Sequence, residues 1–115
     1  MHELSIAKNI LETVQEHVPA EKRSRISKVT MEIGAASGVV ADALVFAFDA
    51  IVHDTPMRNA ALDTVIIPFS VMCHECRRES QNESGYMTCM FCDSPNVTVL
   101  SGTEMVLKQI ELNDE

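Results

Sequence analysis

Two cysteine pairs constrain this chain more than anything else in it: Cys73-His74-Glu75-Cys76, twelve further residues, then Cys89-Met90-Phe91-Cys92. A two-residue gap lets both sulfurs of a pair turn back onto one point, and a hairpin-length spacer brings the second pair opposite. Tetrahedral zinc takes four thiolates at about 2.3 Å, so the spacing predicts one closed, structural zinc site. The surrounding stretch, residues 70–101, is polar and lacks apolar periodicity. About thirty residues are too few to fold on a core of their own. An apparent zinc-binding free energy on the order of 10 kcal/mol would supply what the core cannot. With all four thiolates engaged no coordination position stays open, which argues against hydrolytic chemistry there. His74 is expected to be a bystander. The rival reading, two redox-active dithiols, requires a pair at the start of a helix that follows a strand. Neither pair opens an amphipathic helix.

The rest of the chain is periodic. Leu4, Ala7, Leu11, Val14 and Val18 recur in steps of three and four, widened by Ile10, and predict an amphipathic helix stopped by Pro19. Residues 20–25 read as a charged, solvated linker. Val29, Met31 and Ile33 alternate with Lys28, Thr30 and Glu32 as in a half-buried strand. A small-residue loop, 34–38, leads to a second helix carrying Val40, Leu44, Phe48 and Ile51, which ends before His53-Asp54-Thr55-Pro56. The branched run 61–67 predicts a second strand, and 104–112 a last one. The expectation is an α+β fold: a small, mixed three-stranded sheet with two helices (residues 1–69 and 102–115), into which the zinc-binding domain 70–101 is inserted.

Composition narrows the function. The formal charge is −8, and four thiolates with one divalent ion would lower it by a further two. Such a surface repels phosphate. The one basic cluster, Lys22, Arg23, Arg25 and Lys28, is small, so nucleic acid is not expected as a partner. No run of eighteen apolar residues suggests a membrane span, and the first residues do not read as a signal peptide. A cytoplasmic setting would keep the thiols reduced and favours metal over disulfides. The seven methionines are expected to fill gaps in a core short of aromatics rather than bind copper. His17 is expected on the solvated edge of the first helix, and His53 at the end of the second, as a favourable cation near a helix C-terminus.

Met1-His2-Glu3 has chelating power when Met1 is the mature terminus. The Met1 amine, the His2 amide nitrogen and the His2 imidazole close linked five- and six-membered rings around one ion. The amide or carboxylate of Glu3 adds a fourth donor. Nitrogen-rich, planar sites suit nickel(II) or copper(II). The bland alternative is an ordinary frayed end.

Met1-His2-Glu3-Leu4-Ser5 opening a helix, with paired Cys-x-x-Cys some seventy residues later, resembles the HypA/HybF family of hydrogenase maturation proteins. Glu32-Ile33-Gly34, the Leu44–Phe48 helix, and Gly102-Thr103-Glu104-Met105 leading to Ile110-Glu111 extend the likeness over the whole chain. The resemblance implies a nickel metallochaperone, not an enzyme. It implies transferable Ni(II) at Met1, His2 and Glu3, and zinc at Cys73, Cys76, Cys89 and Cys92. The implied partners are a nickel-delivery GTPase and the large subunit of [NiFe]-hydrogenase, urease being an additional client of some members. Two departures stand out. The family favours Gly after the second Cys of each pair, where this chain has Arg77 and Asp93; it favours Pro after the third Cys, where this chain has Met90. The knuckles are therefore expected to be strained or to turn differently. Asp42 is a loose match to an acidic residue that assists nickel in some members. A zinc-ribbon interaction module without transferable metal is the competing reading.

Overall fold

The structure is a computed structural model that describes residues 3–114. It divides into two compact units, Met1–Met31 with Val39–Val65 and Val106–Glu115, and Glu32–Gly38 with Ile66–Met105. No helix of the described residues is long and apolar enough to cross a membrane.

In the first unit, helix α1 (Glu3–His17) packs on α2 (Ala41–Val52). The buried stripe of α1 is Ile6, Ala7, Ile10 and Val14, continued by Val18, and it meets a core containing Leu44, Phe48 and Val52 of α2. Leu4 is exposed and Leu11 only half-buried, so the inward face is rotated from the Leu4–Leu11 line towards Ile6 and Ile10. Both flanks of this helix are apolar, and the packing against α2 decides between them. Residues 20–25 are not an open linker but a 3-10 helix (Ala20–Arg25). Arg23 reaches back from it, donating to the carbonyls of Val18 (3.0 Å) and Gln15 (2.8 Å). A cation donating to the unpaired carbonyls at a helix C-terminus satisfies them and complements the helix dipole. Arg25 donates to the Asn113 carbonyl, and Lys28 lies 3.7 Å from Glu111. Three of the four basic residues singled out above are thus tied into intramolecular contacts.

Strands β1 (Ile26–Gly34), β2 (Ala61–Ile67) and β6 (Met105–Leu112) form one sheet in the order β2-β1-β6. Directions follow from the hydrogen bonds at the strand ends. The Asn113 N–H donates to Arg25 just before β1, whereas Gly34 at its end donates to Glu104; β6 therefore runs antiparallel to β1. Ala35, just past β1, donates to Ile67, the last residue of β2. The C-terminal ends of β1 and β2 thus lie together, and the two strands are parallel. A parallel pair needs a crossover, which α2 provides. The sheet is mixed.

The second unit holds a second three-stranded sheet, which the cysteine-rich stretch did not disclose: β3 (Ser70–Cys73), β4 (Glu79–Gln81) and β5 (Val97–Ser101), ordered β4-β3-β5. β3 pairs antiparallel with both neighbours, Val71 facing Ser80 on one side and Val99 on the other. These strands are three to five residues long, below the length at which alternation becomes legible. The unit also extends beyond residues 70–101. Gly34 and Ala36 donate to the carbonyls of Glu104 and Gly102, both at 2.7 Å, which draws Glu32–Gly38 into it. The chains cross so closely that a Cβ on Gly34 would collide with Gly102 and Thr103 backbone. This explains the Glu32-Ile33-Gly34 and Gly102-Thr103-Glu104 signatures in physical terms.

Candidate metal centre

β3 delivers Cys73 as its last residue, and the chain then folds into a tight knuckle. The Cys73 N–H donates to Arg78, the Arg77 N–H returns to Cys73 carbonyl, and the N–H groups of Glu75 and Cys76 donate to the Cys73 sulfur at 3.3 and 3.4 Å. The second pair repeats the pattern. Cys89 N–H donates to Ser94, Asp93 N–H to Cys89 carbonyl, and Phe91 N–H to the Cys89 sulfur at 3.3 Å. Each knuckle closes through a left-handed residue at the same place, Arg77 (φ 63°) and Asp93 (φ 61°). The departures from glycine noted above therefore do not change the turn. They hold it with a Cβ in a region that side chains disfavour, less so for Asp than for Arg.

The two knuckles meet at their sulfurs. Cys73 and Cys92 Sγ are 3.6 Å apart, as are Cys76 and Cys89 Sγ, and all four ligand atoms lie within 4.8 Å of one another. A tetrahedron of sulfurs 2.3 Å from its centre has edges of about 3.8 Å, so the residues fit a four-coordinate, thiolate-bound ion. The distances are far longer than a disulfide bond of about 2.05 Å, and all four cysteines are free. Neither pair begins a helix, which removes the geometric basis of the dithiol reading.

Contacts invisible in the spacing lock the knuckles together. The Arg78 guanidinium sits 5.1 Å from the centre of the Phe91 ring, and the buried Ser80 hydroxyl accepts the Met90 N–H. Finding them required the β3–β4 register. His74 is held away from metal duty: its Nε2 is 2.6 Å from Thr98 Oγ1, and it is not among the clustered ligand atoms.

The amide donors sort the thiols. The Cys76 N–H, aided by that of Glu75, lowers Cys73 below the ordinary thiol value against the effect of burial. Burial acts to raise Cys89 but is outweighed by the amides of Cys92 and Phe91, which bring it to about 6. Burial raises Cys76. The Ser94 amide pulls Cys92 down, yet neighbouring Cys73 and Cys89, together with burial, push it up to about 12. One thiol of each pair is thus favoured as thiolate, and the other keeps its proton until a cation arrives.

Of the amino-terminal candidates, Met1 and His2 lie outside the described residues. Glu3 is the first residue of α1, and its carboxylate accepts the Val40 N–H at 3.2 Å. This bond ties the start of α1 to the start of α2, where Asp42 occupies the first turn. His17 is exposed, with Nδ1 donating to the Thr13 carbonyl. Met31 and Met57 are buried, as a packing role requires, but Met87 and Met90 are exposed, so not every methionine serves the core.

Residues 1–112 match the sequence family described as hydrogenase/urease nickel incorporation, metallochaperone, hypA. The chain belongs to the HypA family. Hydrogenase maturation factor HypA of Dechloromonas aromatica is 35% identical over 112 residues, covering 97% of this chain and 99% of the relative. The Aquifex aeolicus HypA is 33% identical over 112 residues, covering 97% of each. The solution structure of the Ni metallochaperone HypA from Helicobacter pylori superposes with a TM-score of 0.67 at 27% identity, covering 100% of both chains. A second HypA solution structure gives 0.70 at 28% identity, covering 100% of this chain and 98% of the other. By family this is a nickel metallochaperone and maturation factor of hydrogenase, and its four-cysteine site is consistent with zinc.

Proposed function

We propose that the chain captures Ni(II) at Met1, His2 and Glu3 and releases it, by ligand exchange, to the [NiFe]-hydrogenase large subunit with the help of a partner GTPase in the cytoplasm. Structural zinc is held by Cys73, Cys76, Cys89 and Cys92. The metals divide between the units, nickel with the helical one and zinc with the cysteine-rich one. The observation that carries the nickel half is the Glu3 carboxylate anchored on Val40 N–H. It fixes the residue that follows His2 and brings Asp42 to the same end of the helix pair. The fourth donor is the Glu3 amide nitrogen or its carboxylate. With the Met1 amine and the His2 amide and imidazole, the set is rich in nitrogen and suited to planar nickel(II). Zinc is the assignment for the cysteines because four thiolates in a closed tetrahedral arrangement select it.

Nickel titration of protein whose first residue is Met1, followed by visible spectroscopy and compared with His2→Ala, tests this reading. The native start should take up one nickel in a planar, nitrogen-rich complex. His2→Ala should lose it while keeping zinc and fold. A tag ahead of Met1, which turns the amine into an amide, should be nearly as damaging. Undiminished nickel uptake by His2→Ala refutes the assignment.

A further inference from the structure

The four sulfurs of the cluster are not equivalent towards solvent. Cys73 and Cys89 are buried, Cys76 is partly covered, and Cys92 is exposed. Amide hydrogen bonds deepen the contrast. Cys73 Sγ accepts the N–H groups of Glu75 and Cys76, and Cys89 Sγ accepts that of Phe91, which occupies lone pairs that would otherwise face a reagent. Arg78, seated 5.1 Å from the centre of the Phe91 ring, brings a positive charge to the residue adjoining Cys92. An accessible thiolate in electropositive surroundings, with a second thiol in reach, is the arrangement that oxidants attack first. The thiol in reach is Cys73, whose Sγ is 3.6 Å from that of Cys92. It belongs to the other pair.

We propose that Cys92 is the entry point of a redox switch: a hydroperoxide oxidises it, and Cys73 resolves the product into a disulfide that joins the two knuckles. A divalent cation held by the four cysteines keeps Cys92 ionised. The Cys92 thiolate attacks one oxygen of hydrogen peroxide; an S–O bond forms, the O–O bond breaks, and the departing hydroxide takes up a proton. The Cys73 thiolate then attacks the Cys92 sulfur. The S–S bond forms, the S–O bond breaks, and a second hydroxide leaves and is protonated. Two thiolates thus give up two electrons, and one peroxide with two protons becomes two waters. The sulfurs close from 3.6 Å to about 2.05 Å, a movement of about 1.5 Å, so no refolding of the knuckles is required. Cys76 and Cys89 remain, which is half of a closed four-thiolate site. Their sulfurs also stand 3.6 Å apart, so a further equivalent of peroxide links them in turn. Oxidation and metal holding therefore exclude each other, and a thiol reductant reverses the change. A thioredoxin-like dithiol cycles within one pair at a helix start; here the link runs between the pairs. The inference goes beyond nickel delivery and rests on the zinc half of the reading above.

The test uses the full chain, purified under reducing conditions and then freed of reductant under argon. Bound zinc is counted first. One hydrogen peroxide per chain is added, and released zinc is followed with a coloured chelator. Trypsin cuts after Arg77 and Arg78, between the pairs, so a cross-knuckle disulfide joins two peptides that a within-pair disulfide leaves separate. A parallel sample contains dimedone, which traps sulfenic acid, and mass spectrometry locates the adduct. The expected result is dimedone on Cys92, a first disulfide between Cys73 and Cys92, one zinc released per disulfide formed, and recovery of zinc binding after dithiothreitol. Met87 and Met90 are exposed thioethers of the same unit and the competing targets. Sulfoxide there with zinc retained overturns the proposal. So does a first disulfide within either pair, or a first adduct on Cys73, Cys76 or Cys89. A chain that carries no zinc before peroxide is added refutes the zinc reading itself and the switch with it, an outcome distinct from zinc that is bound and survives oxidation.

Discussion

Gly34→Ala adds one methyl group and should cost about 2–6 kcal/mol. The φ of Gly34 is outside the left-handed region, so alanine adopts its conformation without backbone strain. The penalty is steric. A Cβ there falls below 3.0 Å from the carbonyl carbon and oxygen of Gly102 and from the Thr103 nitrogen, whereas ordinary contact begins at 3.4 Å. All three atoms are backbone, so no rotamer change relieves the clash, and the two segments must separate. Overpacking of this kind costs about 1–3 kcal/mol. Separation also stretches the 2.7 Å bonds from Gly34 to Glu104 and from Ala36 to Gly102, at about 1–3 kcal/mol for a buried group left unsatisfied. Gly38→Ala is the control. Gly38 has φ +84° and no atom within 4 Å of the added Cβ, so it should cost only the left-handed penalty of about 1–2 kcal/mol. Urea unfolding of both variants in one zinc-buffered solution, read as midpoint shifts at common slope, separates them. If Gly34→Ala unfolds with Gly38→Ala, the close crossing does not stabilise the second unit and the reasoning is wrong.

The knuckles yield two more expectations. Arg77→Gly removes a Cβ from a left-handed residue worth about 1–2 kcal/mol and costs about 0.5–1 kcal/mol in chain entropy; zinc affinity measured by chelator competition should rise up to about tenfold. Asp93→Gly should gain less, and a weaker site in Arg77→Gly would contradict the strain account. The sorted thiols set the proton balance of metal binding. Above pH 6 Cys89 is ionised and Cys73 is lowered with it, whereas Cys76 and Cys92 keep their protons. Zinc should therefore displace at least two protons at pH 8, from Cys76 and Cys92, and fewer than four, because Cys89 is already ionised. As pH falls through about 6, Cys89 protonates as well, so affinity drops more steeply. Calorimetry in buffers of different ionisation enthalpy counts these protons, and a count near zero or four at pH 8 would refute the sorting.

Some of this was legible in the chain, and some was not. Cysteine spacing is a local property, so the sulfur cluster could be read directly: a two-residue gap has few ways to turn. The second-strand run 61–67 was equally plain, because four consecutive β-branched residues, Thr64 to Ile67, favour an extended conformation. The helices announced their existence but not their facing. Leu4–Leu11 and Ile6–Ile10 are equally apolar flanks of α1, and the sequence contains no term that prefers one. Contact with α2 supplies it. The strands β3, β4 and β5 are too short for alternation to emerge, and the cysteine knuckles and mutual pairing hold them. The Gly34–Gly102 crossing and the Arg78–Phe91 contact join residues 68 and 13 positions apart. Residue types and their local spacing determined which groups could bind metal. Only the folded chain decided which of them meet, which way each helix faces, and that Cys92 is left exposed, because those outcomes depend on distances between residues that sequence order does not encode.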